Sequence, residues 1–208
     1  LVRPALLLGG GVILQVLLGI GAWQANLAGF EEMVGPGFQV ATTTAHQAAG
    51  AVVLFDGKNL YVGILARDAE PDRVIGRILE RDRLIEAREG RTRAAGDDAV
   101  LLLLDPFLDR RNAFVFGTNP NGAEHDALIT DERESFNTDW RAVWKVAAQR
   151  VEGGWSAEFA IPFRSLRYPR DGRPWGFNVY RMQRRKNEES LWSAWSRTLQ
   201  SRRARPVR

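Results

Sequence analysis

The chain contains no cysteine, only two histidines and only two methionines among 208 residues. Without cysteine there is no disulfide framework, no thiolate-ligated zinc and no thiol nucleophile. Two histidines, His46 and His125, are too few for a His-rich metal centre. No Gly-rich phosphate loop and no nucleophile elbow occur, so the motifs of nucleotide and acyl-transfer chemistry are missing. Internal repeats and low-complexity tracts are absent too. Evenly spread charge is also lacking. Nine Arg/Lys against two Glu between Arg181 and Arg208 give +7, which leaves the first 180 residues at −3 of the whole chain's +4. The basic excess therefore belongs to one end and is not interleaved with aromatics on a folded face, so nucleic acid is not an expected partner. The one long apolar run, Ala5 to Trp23, carries Gly9, Gly10, Gly11, Gly19 and Gly21, too many for a stable membrane helix. Arg3 followed by the apolar stretch Leu6 to Leu18 has the pattern of an export signal, and the chain opens on Leu, as a fragment of a longer protein would.

What is present is short apolar runs punctuated by turns. Ala51–Phe55 and Leu60–Ala66 flank Asp56-Gly57-Lys58-Asn59, a hairpin signal. Asp97 and Asp98 open the unbroken run Val100–Leu104, the pattern of a strand buried on both faces. Ala113–Thr118 and His125–Ile129 are expected strands around the turn Asn119-Pro120-Asn121-Gly122. Val143–Val151 and Trp155–Ile161 form a second expected hairpin through Glu152-Gly153-Gly154. In its second strand Trp155, Ala157, Phe159 and Ile161 alternate with Ser156, Glu158 and Ala160, placing one face in a core. Gly176–Met182 and Leu191–Trp195 supply the last strands. Residues 70–89 have helical spacing at Val74, Ile78 and Leu79, and Phe163–Leu166 reads as one helical turn. The expected fold is all-β, an antiparallel β-sandwich or jelly roll with one short helical segment. Three parts are expected: an apolar N-terminal segment 1–22 (signal remnant or first strand), the sandwich 23–198, and a basic tail or linker start 199–208.

Taken in order, "FDGKNLYVGILARDAEP", "DDAVLLLLD", "RRNAFVFGTNPNG", "GGWSAEFAIPFRSLRY" and "WGFNVYRMQRR" resemble the family 9 carbohydrate-binding module of the DOMON-like superfamily. The similarity is greatest to a bacterial branch that carries such a module at the start of a longer protein whose remainder resembles an outer-membrane β-barrel. The resemblance covers about Trp23 to Trp195. It implies a β-sandwich that binds plant-type glycans beside xylanases. It also places the family's sugar contacts at about Ala95 for one clamping Trp, Leu101 for a Glu, Gly117 for an Arg and Tyr180 for a polar residue, so the framework matches better than the contacts. DOMON-like relatives can hold haem through His or Met, which brings in His46, His125, Met33 and Met182.

A sugar site needs an aromatic face against the C–H surface of the ring and planar polar groups for its hydroxyls. Stacking is expected from Trp140, Trp144, Tyr180 and Trp192, and polar contact from Arg111, Asn119 and Asn178. Trp140 and Trp144, four apart, share a side if the segment is extended. The competing reading for each Trp is a place in the core, which is preferred for Trp23, Trp155 and Trp175. Asp97, Asp98, Asp105 and Asp109 offer the oxygen ligands calcium prefers, without a fixed loop spacing. The plainer expectation is that they cap strand ends and pair with Arg110 or Arg111. No cofactor is expected, with calcium the alternative. Glu158 is the one carboxylate to weigh as a catalytic acid. It lacks the second carboxylate a glycosidase requires, and pairing with Arg181 on a neighbouring strand is expected instead. The functional expectation is a non-catalytic saccharide-binding module of a larger exported protein (periplasm, outer membrane or extracellular). The alternatives are a plug or interaction domain of an outer-membrane barrel in the same protein, and part of an O-glycosyl hydrolase such as a xylanase.

Overall fold

The computed structural model describes residues 39–43, 49–88, 91–94, 96–130 and 135–192. The apolar N-terminal segment, Trp23, Met33, His46, Ala95, Trp195 and the basic tail lie outside them. The described residues form β1 (Gln39–Thr43), β2 (Ala49–Phe55), β3 (Asn59–Arg67), β4 (Ile85–Arg88), β5 (Arg91–Ala94), β6 (Ala99–Asp105) and β7 (Ala113–Thr118). They continue with β8 (His125–Thr130), β9 (Ser135–Asn137), β10 (Lys145–Val151), β11 (Gly154–Pro162), β12 (Gly176–Gln183) and β13 (Glu188–Leu191). A five-stranded sheet runs β1-β2-β3-β11-β10, a six-stranded sheet runs β13-β12-β6-β7-β8-β9, and β4-β5 is a separate hairpin. Every pairing is antiparallel. The chain is a β-sandwich.

The period-2 pattern sets which face meets which. Leu60, Val62, Ile64 and Ala66 of β3 and Trp155, Ala157, Phe159 and Ile161 of β11 point inward, where they meet Val100, Leu102, Leu104, Phe114 and Phe116 of the opposite sheet. Trp155 and Phe159 are almost wholly buried there, which confirms the core reading for Trp155. β6 is buried on both faces because Ala99, Leu101 and Met182 belong to a second apolar cluster on the outer side of the six-stranded sheet. Leu84 and Ile85, at the entry to β4, close that cluster from outside.

Turn chemistry follows the sequence. Asp56 Oδ1 accepts the amides of Lys58 (2.7 Å) and Asn59 (2.6 Å), which fixes the β2–β3 hairpin. Gly154 is confined to glycine for a different reason: a Cβ there would lie 2.1 Å from the Ala66 carbonyl oxygen on β3. One expectation is corrected. Within the expected helical stretch 70–89, the described residues 70–88 are not helical beyond the 3₁₀ turn Pro71–Arg73, and they end in β4. Buried Asp97 and Asp98 take the amides of Ile75, Arg77 and Ile78, leaving none for an i→i−4 ladder. The last described strand is Glu188–Leu191, and most of the expected strand Leu191–Trp195 lies outside the described residues. Phe163–Ser165 is a 3₁₀ turn, in line with the single helical turn expected there.

Candidate functional site

Three of the positions that the sequence resemblance assigns to sugar contact, Leu101, Gly117 and Tyr180, fall in one row across the outer face of the six-stranded sheet. Tyr180 pairs with Leu101, Leu101 with Gly117, and Gly117 with His125. That row is an apolar surface already in use. Leu101 leans over Gly117, where a Cβ would meet its Cγ at 3.0 Å. Val115, Ala127, Ile129 and Met182 surround it under Leu84 and Ile85, and half-buried Tyr180 packs at the margin. His125 is fully buried and stacked on Phe136 (6.3 Å), with neither ring nitrogen hydrogen-bonded. Burial lowers its pKa against the opposing charges of Asp82 and Asp126, so it is a neutral ring. Three strand spacings, roughly 14 Å, separate the strands of His125 and Met182, too far for both to hold one haem iron.

The other expected contacts are scattered. Trp144 is buried, stacked on Phe159 (5.9 Å, 6°) and edge-on to Phe116 (5.1 Å). Trp140 does share its side, but in a loop rather than a strand, and it packs on Phe114 (5.2 Å) and Phe116 (5.9 Å). These two rings therefore pack with the core rather than forming an open stacking platform, a correction to that expectation, although Trp144 also borders the cleft at the end of the sandwich. Trp192 lies edge-on to Phe177 (5.8 Å) at the inner face, away from Tyr180. Asn119 is fully buried: its Nδ2 donates to Asp97 (2.8 Å) and the Ile78 carbonyl (2.7 Å), and its Oδ1 accepts from Asn121 and Ala123. It is scaffold, which corrects its expected polar contact. Asn178 accepts from the Val179 amide on the same outer face as Tyr180, and Arg111 is exposed on the β6–β7 turn.

The aspartates weighed for calcium divide between the two ends of β6, roughly 25 Å apart, so they cannot share an ion. Asp98 accepts from Ile75 and Arg184 amides at one end. Asp105 accepts from Phe107, Asp109 and Arg110 amides at the other, and Asp109 from Arg111 and Asn112. Backbone amides hold these carboxylates in place, and the charge of Arg111 acts on Asp109 beside them, in line with the pairing expected there. Among the described residues no group of three His, Asp or Glu is placed to hold a metal ion. Glu158, opposite Gly63 and Ala147 on the outer face of the five-stranded sheet, has no ionic partner among the described residues. Arg181 lies instead in the six-stranded sheet among the charges of Asp68, Asp98 and Glu188. Burial alone pushes the Glu158 carboxyl up to about 7.

A cleft of about 1160 Å³ opens at the end of the sandwich formed by the β2–β3 turn, the β6–β7 turn and the segment after β11. Phe163 and Tyr168 line it and pack with Trp175 behind them at 5.1–5.9 Å centroid separations. Phe107, 42% exposed, stands on the β6–β7 turn that also carries Arg111. Lys58, Lys145, Arg164, Arg167 and Arg170 line the rim, all exposed. Among the residues that line the cleft, Trp144 alone was singled out from the sequence as a contact, and most of its ring is buried in the core. The available signal was three cations at a spacing of three around an aromatic, in Arg164-Ser165-Leu166-Arg167-Tyr168-Pro169-Arg170.

No family model matches the chain, and no curated protein matches it significantly. Among solved structures, it is similar to a candidate carbohydrate-binding protein from Bacteroides uniformis ATCC 8492 at 14% identity and a TM-score of 0.53, over 81% of this chain and 82% of that one. It is also similar to a family 9 carbohydrate-binding module from Caldicellulosiruptor kristjanssonii in complex with cellotriose, at 15% identity and a TM-score of 0.40, over 74% and 66%. The first of these supports the fold of this chain.

Proposed function

We propose that the chain is a non-catalytic saccharide-binding module that meets its ligand at the end cleft. The observation that carries this reading is the aromatic group Phe163, Tyr168 and Trp175 beside exposed long polar side chains, the combination that stacks a pyranose and hydrogen-bonds its hydroxyls. The outer face of the six-stranded sheet is the less suitable place, since Leu101, Leu84 and Ile85 fill it with apolar side chains. Hydrolysis is the weaker reading. Among the described residues Glu158 is the one carboxyl held near neutrality by burial, and no second carboxylate is paired with it across a cleft.

Retention on insoluble xylan or cellulose, or heat on titration with soluble oligosaccharides, is the expected outcome. No retention and no heat across a broad glycan panel overturns the reading while leaving the fold intact. Release of reducing sugar that disappears in Glu158→Gln would replace it with a hydrolase. In the same proposal the module belongs to a larger exported protein, checked by recovery of the full-length product in the cell-envelope fraction.

A further inference from the structure

We infer that the cleft selects a saccharide bearing carboxylate groups, a uronate-type glycan, over a neutral one; this rests on the saccharide-binding reading above. The first observation is an imbalance of charge. Lys58, Lys145, Arg164, Arg167 and Arg170 line the cleft, and no carboxylate lines it among the described residues. The second is that the carboxylates on the bordering loops are already committed. Asp56 accepts two amides of its own turn and faces the Tyr61 hydroxyl. Asp105 and Asp109 accept amides of the β6–β7 turn. Asp171 is held by Arg173 at 2.6–3.0 Å. None of them is paired with a rim cation. Glu158 is two residues inward from Ala160 on the same face of β11, and burial favours its neutral form, so it cancels little of this field.

A concave site lined by charge of one sign concentrates ligands of the other, and guanidinium forks match carboxylates in a planar, two-bonded geometry. The aromatic arrangement distinguishes a sugar from a nucleic acid. Successive bases need stacking platforms along a strand, whereas Phe163, Tyr168 and Trp175 are tilted against one another at 55–89°. One ring face for one pyranose, with cations around it, suits a short stretch of acidic sugar.

The test is calorimetric titration of the whole chain with pentagalacturonate, its full methyl ester and cellopentaose. Expected is at least tenfold tighter binding of the free acid than of either neutral sugar. That preference should fall severalfold between 50 and 500 mM salt. Arg164→Gln/Arg167→Gln/Lys145→Gln should lose at least tenfold for the acid, with an unchanged unfolding midpoint. Lys186→Gln, at the opposite end of the sandwich, should change nothing. Equal binding of acid and neutral sugars overturns the acidic preference and leaves the saccharide reading standing. No binding of any of the three overturns both. Tighter binding to vesicles containing one third phosphatidylglycerol, or to a 20-nucleotide single strand, than to pentagalacturonate assigns the cations to another polyanion and likewise overturns the inference.

Discussion

Two buried ionisable side chains pull the stability of this molecule in opposite directions. Glu158 has a folded-state pKa of about 7, raised by burial alone, against an ordinary 4.5. Its neutral form is tolerated in the fold, so its contribution is fully present below pH 4.5 and is lost as pH rises toward 7. The change of some 2.5 pH units is worth about 3 kcal/mol. Glu158→Gln keeps the shape and cannot ionise. Urea unfolding should show it more stable than the parent at pH 8 by about 2–3 kcal/mol and nearly equal at pH 4.5. His125 acts with the other sign. Burial lowers its pKa, so charging it is deferred to the unfolded chain, and stability falls as pH drops through the ordinary histidine range near 6.5. His125→Leu removes two unsatisfied ring nitrogens and should flatten the acid limb of the same unfolding-versus-pH curve. If that limb were unchanged, the neutral buried ring would not be its cause.

At the scale of the element, the hairpin between β10 and β11 depends on two neighbouring glycines for different reasons. Gly153 has φ +75° with open space around its Cα, so Gly153→Ala costs only the left-handed backbone, about 1 kcal/mol. Gly154 faces the Ala66 carbonyl at a distance no side chain can share, so Gly154→Ala must push β11 off β3 and should cost about 3 kcal/mol or more. Denaturant midpoints of the two variants check the contrast. The alternation in β11 and the apolar run in β6 were readable because each strand's burial is decided by its own residues. β4 was not readable, because what opposes helix in residues 70–89 is a pair of aspartates some twenty residues downstream that capture its amides. The cleft was illegible for a related reason: Lys58, Phe107, Lys145 and Arg167 come from four separated stretches, and none carries a periodic signal. The tryptophans misled because an aromatic that fills a core and one that stacks a sugar look alike in sequence.

At the scale of the molecule, the sandwich keeps its structural polar network and its open cleft at opposite ends. Asn119, Asp97, Asp98 and Asp68 tie the loops at one end, while the cations and Phe163 and Tyr168 frame the other. Strands of seven to nine residues put roughly 25 Å between the two. Side chains so far apart and without shared partners act independently. Asn119→Ala, which takes one of three donors from Asp97, frees the Ile78 carbonyl and leaves the Asn121 and Ala123 amides without their acceptor, should lower stability by about 2 kcal/mol yet leave the affinity for pentagalacturonate within twofold. Arg167→Gln should do the reverse, weakening that affinity severalfold while moving stability by less than about 0.5 kcal/mol. The double variant should then show both losses added, within about 0.5 kcal/mol in each measurement. The same pair of measurements separates the two places a sugar could sit. Were Asn119→Ala to abolish binding without unfolding the chain, the ligand would have to meet the buried Asp97 end, and the assignment of the cleft would fall.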